Sequence, residues 1–228
     1  MNRDSAIRII NNASQKGQKT LSEYESKQVL AAYDIPVTRE ILLTNKTEVE
    51  KAAKEIGYPL VMKGCSAAIA HKTEKGLIHV DIRTLEEARN AFDKIMAGLK
   101  GFDGSVLMLE MVYGKRELVM GLSRDDQFGP CVMFGLGGIF TEILRDISFR
   151  KAPLTKSDAL KMMQEIKGHK ILDAIRGMEA ADTDILSQIL INVGRIGLEI
   201  GQVQEIDLNP VILSGAKPVV VDALIVLK

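Results

Sequence analysis

No tryptophan occurs among the 228 residues, and aromatic side chains amount to 4%. That argues against a platform for stacking nucleobases. Thirty Lys and Arg balance thirty Asp and Glu, so no net field draws the chain to nucleic acid or to an anionic membrane. Only two cysteines are present, Cys65 and Cys131, far apart and at no metal or redox spacing. They are expected to be reduced thiols. No apolar run approaches the roughly 20 residues of a membrane span, and the opening MNRDSAIRII has no apolar signal core. The expectation is a soluble cytoplasmic protein with neither nucleic acid nor membrane as partner.

What is present fits an ordinary globular chain. Apolar residues make up 46% and charged residues 26%. The length suits one domain or two small subdomains with a sizeable core. The SAIRIINNASQKGQ stretch predicts a helix. Ser22-x-x-Glu25 reads as a capping box opening a second helix through about Tyr33, followed by extended DIPVTREILL. Thr47-x-x-Glu50 predicts a third helix, closed by Gly57 as a left-handed cap. YPLVMKG and GLIHVDI read as strands, and Thr84-x-x-Glu87 starts a helix ending near Gly101.

The second half is richer in strands. SVLMLEMV and RELVMGLS flank Tyr113-Gly114-Lys115, which reads as a short hairpin connection. GPCVMF runs into GLGG, then IFTEILRDISF. Helices follow over about Lys156–Lys167 and Asp182–Ile200, the longer one with an apolar stripe at Ile185, Ile189, Val193, Ile196 and Ile200. The pattern predicts an N-terminal helical segment over 1–20, a subdomain over 21–102 and a second over 103–228.

Four features could carry chemistry. In the last hairpin, residues two apart share a strand face, so Glu205, Asp207 and Asn209 point one way. A turn at Ser214–Lys217 puts Leu213 opposite Pro218, and the same register puts Asn209 opposite Asp222. Opposed Cβ atoms lie roughly 5 Å apart, so hard oxygen ligands suited to Mg²⁺ would converge. Either that or a solvated polar face accounts for them. The turn FGLGGIFTE lets main-chain amides approach an anion, or is simply a turn. Lys63 ends an apolar strand as a candidate phosphate clamp or a snorkelling side chain. His71 stands beside Lys72 and Lys75 with no second ligand nearby, so it is a candidate nucleophile or a bland loop residue.

Together GYPLVMKG…HKTEKG, EMVYGKRELVMGLSRDDQFGP, FGPCVMFGLGGIFTEILRDISFRKAPL and EIDLNPVIL resemble the ATP-grasp β subunit, or β domain, of ADP-forming (NDP-forming) acyl-CoA synthetases of the acetate–CoA ligase type. The likeness spans nearly the whole chain. It implies a mixed α/β (α+β) ATP-grasp fold, with two subdomains gripping a nucleotide between them. It implies a ligase component acting in acyl-CoA + ADP + phosphate = acid + CoA + ATP. The partner would be an α subunit with CoA-binding and ligase domains, in a hetero-oligomer.

Carried over by position, His71 resembles the transient phosphohistidine on a swinging loop, and Lys63 the phosphate-binding lysine. Glu110, Met111 and Val112 fall at the adenine-reading hinge, Val112 through its backbone. Glu117 falls at the ribose. Gly137 and Gly138 lie in the loop that contacts the phosphoryl group. Asp207, Asn209 and Asp222 resemble the Mg²⁺ ligands, with ATP or ADP as substrate. The stretch CSAAIAHKTEKGLI departs from relatives, which carry Pro-Asp before the histidine and a double glycine after it. His169 stands where an aromatic is common and reads as structural. Competing readings are an ATP-grasp carboxylate ligase without phosphohistidine and a non-catalytic ATP-sensing regulatory subunit.

Overall fold

The computed structural model describes residues 2–68, 76–138 and 146–228. Helix α1 (Arg3–Gln15) is capped by the Asn2 side chain, which accepts from the Ser5 N–H, and buries Ala6, Ile10 and Ala13. Helix α2 spans Glu23–Ala31. The predicted Thr47 box is displaced. Asn45 and Glu48 form the reciprocal cap on a 3₁₀ turn over Lys46–Glu48, which leads into α3 (Val49–Ile56). Asn45 accepts from Thr47, so the residue read as the cap is already inside the turn. Gly57 closes α3 at φ 89° and ψ 158°, which is positive φ but outside the left-handed helical basin expected for it.

Helix α4 (Leu85–Gly98) starts as the spacing predicts: the Thr84 hydroxyl accepts from Glu87 N–H, and the Glu87 carboxylate accepts from Arg83 N–H. A reciprocal Thr155–Asp158 box opens α5 (Lys156–Glu165), and Asp182 caps α6 (Thr183–Glu199). On α6 the stripe Ile189, Val193 and Ile196 is buried and Ile185 partly so, and Ile200 is buried just past the helix end.

One compact unit comprises 22–24 and 38–111. Its antiparallel sheet contains β1 (Glu40–Leu43), β2 (Leu60–Cys65), β3 (Ile78–Ile82) and β4 (Ser105–Glu110), in the order β1-β4-β2-β3. Alternation sorts the two faces. Leu60, Met62, Val106 and Met108 pack with α3 and α4, whereas Val61, Cys65, Leu107 and Leu109 form a separate small cluster.

The other unit comprises 1–21, 25–37 and 112–228. Its strands are β5 (Glu117–Asp125), β6 (Gly129–Leu136), β7 (Ile147–Lys151), β8 (Val203–Ser214), β9 (Lys217–Val220) and β10 (Ala223–Leu227). The order is β10-β8-β5-β6-β7, with β9 also paired to β8. Helices α1, α2, α5 and α6 contribute to one apolar core with the inward residues of this sheet.

Two expectations are corrected. Residues 113–115 are not a hairpin turn, because β4 pairs with β1 and β2 while β5 pairs with β6 and β8. The expected division at 1–20, 21–102 and 103–228 also shifts. Strand β4 lies between β1 and β2, which carries the break to Met111, and the N-terminal helix belongs with the C-terminal sheet. Among the described residues no helix is long and apolar enough to cross a membrane.

Candidate functional site

Within the larger unit the oxygen-bearing residues gather where β8 departs from regular alternation. Ile206, Leu208, Val211 and Leu213 are buried, so one extra residue stands between Leu208 and Val211. The pairing with β5 shifts at the same place, between Leu118 and Met120. Opposite, Val220 and Ala223 are both buried and Val221–Asp222 separate β9 from β10. Two matched irregularities therefore turn Asn209 and Asp222 off the core face while the register across them is kept. Leu213 pairs with Pro218, Ala223 pairs with Leu208, and the Asn209 N–H donates to the Asp222 carbonyl at 3.3 Å. The turn is tighter than a four-residue loop, because Ser214 and Lys217 still pair around Gly215 and Ala216.

Asp207 lies on the same outward face, between Leu224 of β10 and Gly121 of β5. Burial first, and then the Glu205 and Asp222 carboxylates, push its carboxyl up to about 6. This face thus concentrates negative charge, and hard oxygen donors of that kind suit a divalent cation. Two carboxylates and an amide do not fill an octahedron, and water and phosphate oxygens would supply the rest. Among the described residues no three His, Cys, Asp or Glu side chains form a metal-holding group.

Glu117 opens β5, and its carbonyl accepts from the Gly137 N–H at 2.8 Å. A Cβ on Gly137 would stand 2.7 Å from the Glu117 carbonyl carbon and 2.8 Å from the Leu118 nitrogen, so only glycine fits. Gly138 adopts φ +64°, and a Cβ there would meet Glu117 Oε2 at 2.9 Å. The fold so brings Glu117 against Gly137 and Gly138. The far end of this connection is pinned by Asp146, whose carboxylate accepts from the Lys167 and Gly168 N–H groups at 2.7 and 2.6 Å. Just before Glu117, buried Arg116 donates to the carbonyls of Ile171, Asp173, Glu179 and Gly215. Spacing gave no sign of either role, since the partners are distant and mostly main chain.

Within the smaller unit Lys63 is not a strand-end side chain. Strand β2 continues to Cys65, and Lys63 is buried on the face opposite α3 and α4, beside Leu107 of β4 and Ile78 of β3. Its Nζ donates to Glu23 Oε1 at 2.9 Å, with the side chains 6% and 0% exposed. Sequence reasoning passed over Glu23, which lies 40 residues away. Glu110 ends β4. Its carboxylate accepts from the Arg39 N–H at 2.9 Å and Arg39 Nε at 2.8 Å, while its own N–H donates to the Arg39 carbonyl. Met111 packs on the cluster of Val61, Cys65, Leu107 and Leu109. Met111 is the last residue of the smaller unit, and Val112 begins the final stretch of the larger one.

His71 lies outside the described residues. His169 sits in a 3₁₀ turn, its Nδ1 3.1 Å from the Ile166 carbonyl, which is a local contact. Cys65 is buried and Cys131 half-buried, and neither forms a disulfide.

A family model for the ATP-grasp domain matches residues 12–227, and the chain belongs to that family. Within it, the chain belongs with the β subunits of the ADP-forming acetate–CoA ligases, which form a carbon–sulfur bond. It is 41% identical to the β subunit of acetate–CoA ligase [ADP-forming] I of Pyrococcus furiosus, over 100% of both chains. Among solved structures it is similar to Candidatus Korarchaeum cryptofilum dinucleotide-forming acetyl-coenzyme A synthetase 1. In the complex of that enzyme with coenzyme A, Ca-AMPCP and HgCl⁺ the TM-score is 0.93 at 41% identity, covering 97% of this chain and 99% of that one. In another, with coenzyme A and Mg-AMPPCP, the phosphohistidine segment points towards the nucleotide-binding site, with a TM-score of 0.87. The 4-hydroxybutyrate–CoA ligase [ADP-forming] of Nitrosopumilus maritimus is 35% identical over 93% of this chain but only 31% of its own length.

Proposed function

We propose that this chain is the nucleotide-handling β subunit of an ADP-forming acyl-CoA synthetase of the acetyl-CoA type. It passes a phosphoryl group reversibly between ATP or ADP and the active site of an α partner. The observation that carries this reading is the paired irregularity in β8 and between β9 and β10, which sets Asn209 and Asp222 opposite one another beside Asp207.

Mg²⁺, when bound, neutralises phosphate charge as the phosphoryl group transfers. Asp207, Asn209 and Asp222 are the residues that would hold it, a set supported by their hard oxygens and by the raised Asp207 carboxyl. Lys63 offers a fixed cation to the nucleotide phosphates. Glu110, Met111 and Val112 present main chain and apolar surface to adenine, with the Glu110 side chain already engaged by Arg39. Glu117 serves the ribose. The Gly137 N–H, held by the Glu117 carbonyl, fixes the loop against β5, and the Gly138 amide serves the travelling phosphoryl group. His71 takes it up: a bond forms from a ring nitrogen to phosphorus as the bond to the ADP oxygen breaks.

The acyl and CoA chemistry belongs to the partner. In relatives such as the Nitrosopumilus enzyme the matched region is under a third of the polypeptide, which supports a division of the reaction between this region and others. The test is ATP formation from acetyl-CoA, ADP and phosphate. It is expected when the chain is mixed with an α subunit of this enzyme class and absent with either component alone. ATP formation by the chain alone would overturn the division of labour.

A further inference from the structure

Glu23 and Lys63 form an ion pair with both side chains almost wholly out of water. Burying two charges costs several kcal/mol even when they are paired, and apolar residues of similar volume are often as stable or more so. Stability alone therefore does not account for the pair. Lys63 projects from the face of β2 that carries Val61 and Cys65, in a setting of apolar neighbours that includes Leu107, Leu109 and Ile78. An unguided lysine has four rotatable carbons and adopts many rotamers. The Glu23 carboxylate at 2.9 Å selects one of them. Glu23 stands in turn at the first position of α2, where the helix N-terminus favours an anion.

We infer that Glu23 is a positioning residue for nucleotide binding: it holds the Lys63 side chain aimed, so that the phosphates of a nucleoside diphosphate or triphosphate meet a preset cation. This rests on the proposed role of Lys63 as the phosphate contact. Glu23 itself touches no nucleotide. Its removal should affect ligands in proportion to their phosphate charge and leave the base and ribose contacts alone.

The test is calorimetric binding of Mg·ADP and of adenosine to the full chain and its variants. Glu23→Gln, of equal size and uncharged, should weaken ADP about tenfold while adenosine is unchanged. Glu23→Asp, which keeps the charge but draws it back, should give a smaller loss on ADP alone. If Glu23→Gln does not fold, Glu23→Asp reads the same quantity. In a Lys63→Met background, Glu23→Gln should add no further loss of ADP, because the two residues act as one unit. Equal weakening of ADP and adenosine would make Glu23 a merely structural residue and overturn the inference. So would unchanged ADP binding in Glu23→Gln when Lys63→Met weakens it. Unchanged ADP binding in Lys63→Met would bring down the phosphate role of Lys63 itself, and this inference with it.

Discussion

Asn209 and Asp222 stand opposite one another where β8 and the connection between β9 and β10 both break alternation. The main chain joins them, with the Asn209 N–H on the Asp222 carbonyl, and leaves both side chains off the core. Substituting Asp222 by Ala should therefore spare the core. It should remove the Mg²⁺-dependent part of ADP affinity by at least about tenfold, while metal-free ADP binding stays. Asp222→Asn should raise metal-free stability by about 0.5 kcal/mol, since it relieves repulsion of Asp207. Titrations with and without Mg²⁺, and thermal unfolding in a chelator, read both effects.

The approach of Gly137 to β5 leaves no room for a methyl group. Gly137→Ala drives Cβ against the Glu117 and Leu118 main chain, which cannot rotate away, and should cost about 1–3 kcal/mol. Gly201→Ala is the control: nothing lies within 4 Å, and the change should stay within about 0.5 kcal/mol. Denaturant midpoints at constant m-value distinguish the two.

Arg116 spreads its guanidinium over four carbonyls of the 171–179 and 215 segments from a buried position. Arg116→Lys keeps the charge but not the fork, so several acceptors lose their donor. It should destabilise the chain by at least about 3 kcal/mol, with Arg116→Ala no milder. Urea unfolding measures this.

Tyr33 donates its hydroxyl to Glu199 at 2.9 Å, with Arg3 5.5 Å from its ring centre. Burial, then the hydrogen bond and charge of Glu199, push its phenol up to about 12. The folded state holds this proton more tightly than the unfolded chain does. Its contribution is complete below pH 10 and is lost as pH rises from 10 through 12. Tyr33→Phe should cost about 1.5 kcal/mol at pH 8, and the difference from the parent should shrink across that window in thermal unfolding.

The start of α4 was legible in the sequence because capping is local: Thr84 reaches the Glu87 amide three residues on. Asn45 was missed because Thr47 offered an equally good pattern two residues later. The Asn209–Asp222 register was readable because a hairpin fixes it from one turn. The matched irregularity was not, since it shows only in which apolar residues are buried. Alternation in SVLMLEMV and RELVMGLS identifies two strands but not their sheets, and so the crossing at 111–116 read as a hairpin. Glu23 and Arg39 were invisible for a different reason. Their partners, Lys63 and Glu110, come from other elements, and only the fold supplies the proximity.

The account turns on His71. The direct measurement is incubation of the purified chain with its α partner, Mg²⁺ and ATP labelled at the γ-phosphate, beside a His71→Ala variant. The account predicts protein-bound label that is lost in acid, survives base and is absent from the variant. Equal labelling of both chains, or none in either while ATP remains bound, would contradict it.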